Sequence, residues 1–242
     1  MNADVDHILG LLLMRELQPL HVYATESIRR ILTEDNSMFG MLRRVPGQLT
    51  WTAFEPRKTF KVERTPFPSI SQVCHSDPER SEGEESSVRQ ICCRAPSLGT
   101  HFPAYVSPER RSELPHGEAS LGLIVESASG KRLAYMPAVP DISDELVREF
   151  ESADVLLLDG TFWSDDELIR LQGSEQTAHQ MGHIPISGPE GSLRRLAHLR
   201  RPRRIYIHVN NSNPILNEAG PEYRQVHEAG WEIAEDGWQF EL

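Results

Sequence analysis

Asp4, Asp6 and His7 fall within one short stretch near the start of the chain, immediately before the apolar residues 8–13. Carboxylate and imidazole donors so close together suit a divalent metal such as iron, manganese or zinc. The same pattern also serves as a solvated stretch or a helix cap, and taken alone it leaves both readings open. Further along, polar residues gather where apolar runs end: Asp159-Gly160-Thr161 follows Leu158, and His208 to Asn213 follows Ile205-Tyr206-Ile207. In open α/β sheets that edge is where sites are built. Asp159 comes after a run of apolar residues that would desolvate it, so it needs a cation, a metal or hydrogen-bond donors. It either ligates or braces a ligand histidine from behind. His183, between Gly182 and Ile184-Pro185 on an expected loop, could transfer a proton, bind a metal or brace the loop. His208 reads as a ligand or as a strand-end histidine bonded to Asn210 or a carbonyl. Asn210, Asn211 and Asn213 read as holders of substrate carboxylates or as braces of the turn before Pro214.

These groups need a scaffold, and apolar periodicity predicts one. Leu20–Ala24 reads as a short strand from its β-branched and aromatic content, with Thr25 capping a helix that carries Ile28, Ile31 and Leu32. Residues 49–54 alternate as a half-buried strand. Residues 121–126 and Arg132–Met136 flank Ser129-Gly130 as a hairpin. Ser143 caps a helix bearing Leu146, Val147 and Phe150, with Glu145 in the first turn, where the helix dipole favours an anion. Residues 154–159 follow as a strand buried on both faces, 192–199 as another amphipathic helix, and 204–209 as another buried strand. Alternation of strand and capped helix predicts a layered α/β fold, and the length of 242 residues suits one domain over 1–242.

Residues 69–94 differ. The run Ser76 to Ser87 is charged, Ser-rich and almost free of apolar side chains; it cannot bury a core, and 69–94 is predicted to be a disordered insertion. The neighbouring Cys74, His75, Cys92 and Cys93 lack the spacing of zinc knuckles. With 25 Lys+Arg against 36 Asp+Glu the chain carries −11, which argues against a bulk electrostatic nucleic-acid binder. Arg200, Arg201, Arg203 and Arg204 form a local exception, read as a solvated connection that could also attract an acidic peptide. Three cysteines are too few for a disulfide framework, and reduced thiols fit the cytoplasm. Apolar runs fall short of the roughly 20 residues that span a bilayer, and the acidic start is unlike a secretory signal. The expectation is a cytoplasmic protein without a membrane span. His21, His101, His116, His179, His198 and His227 are expected at the surface or in packing.

The stretch Asp4-x-Asp6-His7 with Gly10-Leu11-Leu12 and Arg15-Glu16 is followed by Leu158 to Trp163 with Asp165-Asp166-Glu167. Then come Met181 to Ser187, Ile207 to Leu216, and the terminal Ala229 to Ile233 with Asp236-Gly237. In this order the blocks resemble the coenzyme PQQ synthesis protein B family of the metallo-β-lactamase-like superfamily. The superfamily's His-x-His-x-Asp-His would fall on Asn2, Asp4, Asp6 and His7, and loss of both leading histidines is what the family shows. The resemblance spans nearly the whole chain outside 69–94. It implies an αββα sandwich with a metal at the sheet edge, and iron-dependent hydroxylation of a tyrosine-derived intermediate on the way to pyrroloquinoline quinone (PQQ). The implied metal is Fe(II), with zinc as the alternative. His7, His208 and one of Asp4 or Asp6 would hold it, since two imidazoles and a carboxylate leave positions free for dioxygen and substrate. His183 stands where related hydrolases place a catalytic or ligand histidine, and with Asp159 it forms the expected catalytic pair. The family carries a Gly-rich first turn and a Cys-rich, structural-zinc stretch ahead of this motif. Neither is in this sequence, so the expectation is an N-terminally truncated copy without the structural zinc site. Two other readings stand beside the oxygenase: a carrier of PQQ or its precursor for transfer to the periplasm, and an inactive remnant. The implied partners are a small-molecule or short-peptide PQQ precursor and, in a homodimer, a second copy of the chain.

Overall fold

The computed structural model describes residues 2–13, 19–43, 46–62, 91–99, 101–115 and 117–242. The apolar run after His7 belongs to a helix, α1 (Val5–Leu13), which buries Ile8 and Leu12 while Leu9 and Leu13 face outward. Helical spacing thus divides a run that reads as uniformly buried. Next, β1 (Leu20–Ala24) leads to Thr25, whose hydroxyl accepts from Ile28 N at 3.3 Å and caps α2 (Glu26–Arg30). A π turn (Ile31–Asp35) and a 3-10 turn (Ser37–Arg43) carry the chain on to β2 (Leu49–Ala53), which pairs in parallel with β1. Ile28, Ile31, Leu32 and Phe39 from this region are buried in one cluster with Ala3, Ile8 and Leu12 and with Val106 and Leu114, which lie before and after α3 (Pro108–Glu113).

The rest of the chain builds a larger layer. Its strands are β3 (Thr59–Val62), β4 (Ile91–Arg94), β5 (Ser97–Gly99), β6 (Ser120–Leu121), β7 (Leu123–Glu126), β8 (Arg132–Met136), β9 (Val155–Asp159), β10 (Arg203–Ile207) and β11 (Glu232–Ile233). Seven of them form one sheet in the order β11-β10-β9-β8-β7-β4-β3, antiparallel from β3 to β8 and parallel from β8 to β11. Parallel neighbours need crossovers. The chain provides α4 (Asp144–Ser152) between β8 and β9, α5 (Glu167–Gln172) and α6 (Ser192–Arg195) between β9 and β10, and α7 (Pro221–Glu228) between β10 and β11. Covered faces explain why Val155 to Leu158 is continuously apolar. In the core, Tyr206 of β10 stacks on Trp231 with ring centroids 4.3 Å apart, and its hydroxyl bonds Ser192 Oγ at 2.8 Å.

Tyr23 of β1 and Phe54 after β2 stack on Phe60 of β3, with ring centroids 6.2 and 4.3 Å away, and so join the small parallel pair to the large sheet. Among the described residues the layers are unequal: a seven-stranded sheet, with the two-stranded pairs β1-β2 and β5-β6 beside it. Register then decides where the site lies. Ile207 pairs with Asp159, so the carboxyl ends of β9 and β10 finish side by side.

Three expectations are corrected. Ile91–Arg94, inside the predicted insertion 69–94, is a strand paired with β3 on one side and β7 on the other, and Cys93 is buried. Pairing on both edges decides these residues, whatever the composition of the run before them. Cys74, His75 and the charged run 76–87 lie outside the described residues. Residues 192–199 are not one helix: α6 stops at Arg195, and tighter bonds follow from Ala197 N to Arg194 O and from Leu199 N to Leu196 O, which still bury Leu196 and Leu199. Finally, β10 stops at Ile207 and not at 209, because His208 takes φ +57°, a left-handed conformation in which a strand cannot continue. Among the described residues no helix is long and apolar enough to cross a membrane.

Candidate metal centre

Asp159, the last residue of β9, has no exposed surface. Its Oδ1 accepts from Thr161 N (3.1 Å) and Thr161 Oγ1 (2.6 Å), and its Oδ2 from Val139 N (2.9 Å) and His183 Nδ1 (2.8 Å). Both oxygens are therefore occupied, which answers the need for donors that its apolar approach creates. Gly160 makes the turn possible: a Cβ there would meet Tyr206 Cβ at 2.9 Å and Ile207 O at 3.1 Å.

Thr161 is the hub. Its single hydroxyl hydrogen goes to the Asp159 carboxylate, so the oxygen must accept from His208 Nδ1, 2.8 Å away. His208 consequently carries its ring hydrogen on Nδ1 and a lone pair on Nε2. That Nε2 lies 3.2 Å from Asp6 Oδ2, a second lone-pair donor, and a cation or a proton is what reconciles two such atoms at that distance. His183 repeats the logic, since Nδ1–H donating to Asp159 leaves its Nε2 as the free donor atom.

Asp6 and His7 arrive on the first turn of α1. The His7 ring centroid is 4.5 Å from that of His208, and the His208 ring is 5.5 Å from that of His183. Donor atoms of Asp6, His7 and His208 lie within 4.8 Å of one another, as do those of Asp159, His183 and His208. The first set fits a divalent ion better. Its carboxylate is half out in solvent with oxygens to spare, whereas Asp159 already accepts four hydrogen bonds. In the second set Asp159 and Thr161 brace the imidazoles from behind. A cavity of about 340 Å³ lined by Asp6, Thr161, Phe162, His183, His208 and Asn210 opens over the cluster. A larger one of about 980 Å³, lined by Asp4, Asp6, His7, His101, His179 and His183 among others, adjoins it.

Electrostatics prepare the donors. Burial, reinforced by the neighbouring His208, pushes the His7 imidazole down to about 4 against the pull of Asp6, so it is the neutral, ligating form at neutral pH. Burial resists ionisation of Asp6, but His7 and His208 outweigh it and hold the carboxyl below its ordinary value. For His183 burial also works downward, yet the Asp159 charge and hydrogen bond prevail and its pKa is raised. The His7 shift has a measurable consequence. A histidine at about 4 in the fold and 6.5 unfolded gives stability that is present above pH 6.5 and lost as pH falls to about 4, worth about 3 kcal/mol. Chemical denaturation of the metal-free chain across that window should show the loss, and His7→Gln should remove it; an equally steep acid limb in the variant would refute the assignment.

Of the other expected site residues, Asp4 joins neither cluster and instead bonds His101 Nε2 through Oδ2 at 3.2 Å. Asn213, expected among the substrate holders, is buried, donates to Gly160 O and Thr161 O and accepts from Ile215 N, so its amide is spent within the turn. Asn210 bonds Ser212 and the Asn211 backbone at the rim of the smaller cavity, and Asn211 is exposed. His101 and His179, expected at the surface or in packing, line the larger cavity, with His179 Nδ1 on Asp165 Oδ1 at 2.7 Å. Thr161 carried a readable signal, since a threonine two residues after an aspartate readily closes a turn onto it; His101 carried none. The arginines of 200–204 lie at the start of β10, away from this edge, where Arg203 pairs with Glu232 and Arg201 with Asp154.

A model described as a beta-lactamase superfamily domain matches residues 1–209. The chain is 35% identical over 243 residues to "Coenzyme PQQ synthesis protein B" of Methylococcus capsulatus, covering 100% of this chain and 71% of that protein. It is 34% identical over 249 residues to the protein of the same name from Pseudomonas entomophila, covering 100% and 72%. Among solved structures, zinc-bound PqqB from Methylobacterium extorquens superposes with a TM-score of 0.78 at 30% identity, over 100% of this chain and 71% of that one. The metallo-beta-lactamase fold protein YhfI of Bacillus subtilis is alike in fold alone, at a TM-score of 0.54 and 13% identity over 96% of this chain and 71% of its own. The fold is that of the metallo-β-lactamases, as the motif blocks implied.

Proposed function

Because the chain belongs to the coenzyme PQQ synthesis protein B family, within the beta-lactamase superfamily, we propose that its part in PQQ biosynthesis is the hydroxylation of a tyrosine-derived precursor at an Fe(II) centre. The observation that carries this reading is the convergence of one carboxylate and two imidazoles, Asp6, His7 and His208, on one point beside a cavity. Such a set leaves coordination positions for dioxygen and substrate, and when bound the iron supplies the oxygen chemistry. The protein's own groups do the rest. His7 presents a neutral nitrogen, His208 the Nε2 turned away from Thr161, and Asp6 a carboxylate. His183, held by Asp159, takes or returns a proton at Nε2. Asn210 would face the substrate's polar groups from the rim, with the exposed Asn211 next to it in the chain. Zinc, which the Methylobacterium relative holds, suits the same donors. The reaction is assigned to the cytoplasm, which would keep the free thiols of Cys92 and Cys93 reduced.

Purified chain loaded anaerobically with Fe(II), then given precursor, dioxygen and a two-electron reductant such as ascorbate, which takes the second oxygen atom to water, should yield a product one oxygen atom heavier by mass spectrometry, while zinc-loaded chain should not. Iron-loaded chain that binds precursor tightly without turning it over would move the assignment to a carrier. Absence of both metal and precursor binding would sink it altogether.

A further inference from the structure

Two side chains of the loop after β5 reach the turn ahead of α1. Tyr105 donates its hydroxyl hydrogen to Ala3 O at 2.5 Å, and His101 Nε2 meets Asp4 Oδ2 at 3.2 Å. The turn itself is closed by local bonds, Asp4 N to Asn2 Oδ1 and His7 N to Asp4 O, with Asn2 and Ala3 buried. Val106 shares a buried cluster with Ala3, and Phe102 packs against it. The same loop touches the opposite wall: a Cβ on Gly182, which precedes His183, would fall 2.9 Å from His101 Cγ. Residues 101–106 therefore contact two of the three backbone segments that bring histidines to the cluster, those of His7 and His183.

We propose that Tyr105 and His101 are positioning residues that clamp the Asn2, Ala3 and Asp4 turn, so that Asp6 and His7 meet His208. The proposal rests on the metal centre described above. A turn closed only by its own local bonds would place Asp6 and His7 loosely, since a single helix of nine residues is marginal without tertiary anchors. The anchors come from about a hundred residues away, 102 positions for Tyr105 and 97 for His101. Fixed supports of this kind are what keep a ligand set within bonding geometry.

Tyr105→Phe removes one hydroxyl and nothing else; His101→Ala removes the second anchor independently. Co(II) affinity by visible-band titration, amide exchange of residues 2–9 and unfolding midpoints should be compared with the wild-type chain. Each variant should bind Co(II) about tenfold more weakly, the pair together about 100-fold, with faster exchange of the His7 amide and midpoints close to wild type. Wild type that binds Co(II) no better than either variant, with His7 exchange unchanged, overturns the clamp alone. A folded wild type that binds no Co(II) overturns the metal centre and the clamp with it.

Discussion

His208→Ala is expected to weaken divalent-metal binding by more than the roughly 10–100-fold that loss of an outer partner costs. His208 is the residue common to both donor sets, and its Nε2 is the nitrogen that Thr161 leaves bare. Neither Asp6 nor His7 is equally irreplaceable. Asp6 is more than half exposed, so water can take its place, and His7 belongs to one donor set only. The backbone complicates the substitution, because φ +57° is costly for alanine, about 1–2 kcal/mol, and easier for asparagine. His208→Asn therefore serves beside it. Both variants should lose metal by elemental analysis, and the asparagine variant should keep the wild-type melting temperature. Full occupancy in either would remove His208 from the ligand set.

Asp159→Asn should be the most damaging isosteric change. Each carboxylate oxygen accepts two hydrogen bonds, so whichever way the amide turns, its NH₂ faces two donors: Thr161 N and Oγ1, or Val139 N and His183 Nδ1. Burial leaves no water to compensate, and the expected loss is roughly 2–4 kcal/mol, with the midpoint lowered by about 5–15 °C. The deficit depends on pH in a known direction. Since Asp159 raises the His183 pKa, the stabilisation it provides is fully present below the unfolded value near 6.5 and fades as pH rises through the folded one. The variant should therefore fall furthest behind wild type in mild acid. NMR titration should show the His183 pKa falling from its wild-type value, because burial is then opposed only by the weaker pull of Asp4 and Asp6. An unshifted His183 and an unchanged melting curve would refute the account.

Local chemistry was readable. Apolar continuity marked β9 and β10 as covered strands, Thr25 and Ser143 announced the helices they cap, and Ser129-Gly130 announced the turn between β7 and β8. The desolvated position of Asp159 predicted its need for donors, and it has four. What failed was anything decided by a distant neighbour. Ile91–Arg94 is a strand because β3 and β7 flank it, and the helix at Ser192 stops short; of the two roles open to Asn213, its bonds to Gly160, Thr161 and Ile215 select the brace of the turn.

By itself, then, the sequence determined the kinds of element, their order and the residue types able to bind a metal, because periodicity, capping and composition act over a few positions. Only the tertiary structure decided that Asp6, not Asp4, meets His208 across a separation of 202 residues, and that His101 faces Asp4. Those encounters are set by parallel strand register and by the loops that anchor α1. Contacts of that range leave no periodic trace in the chain that makes them.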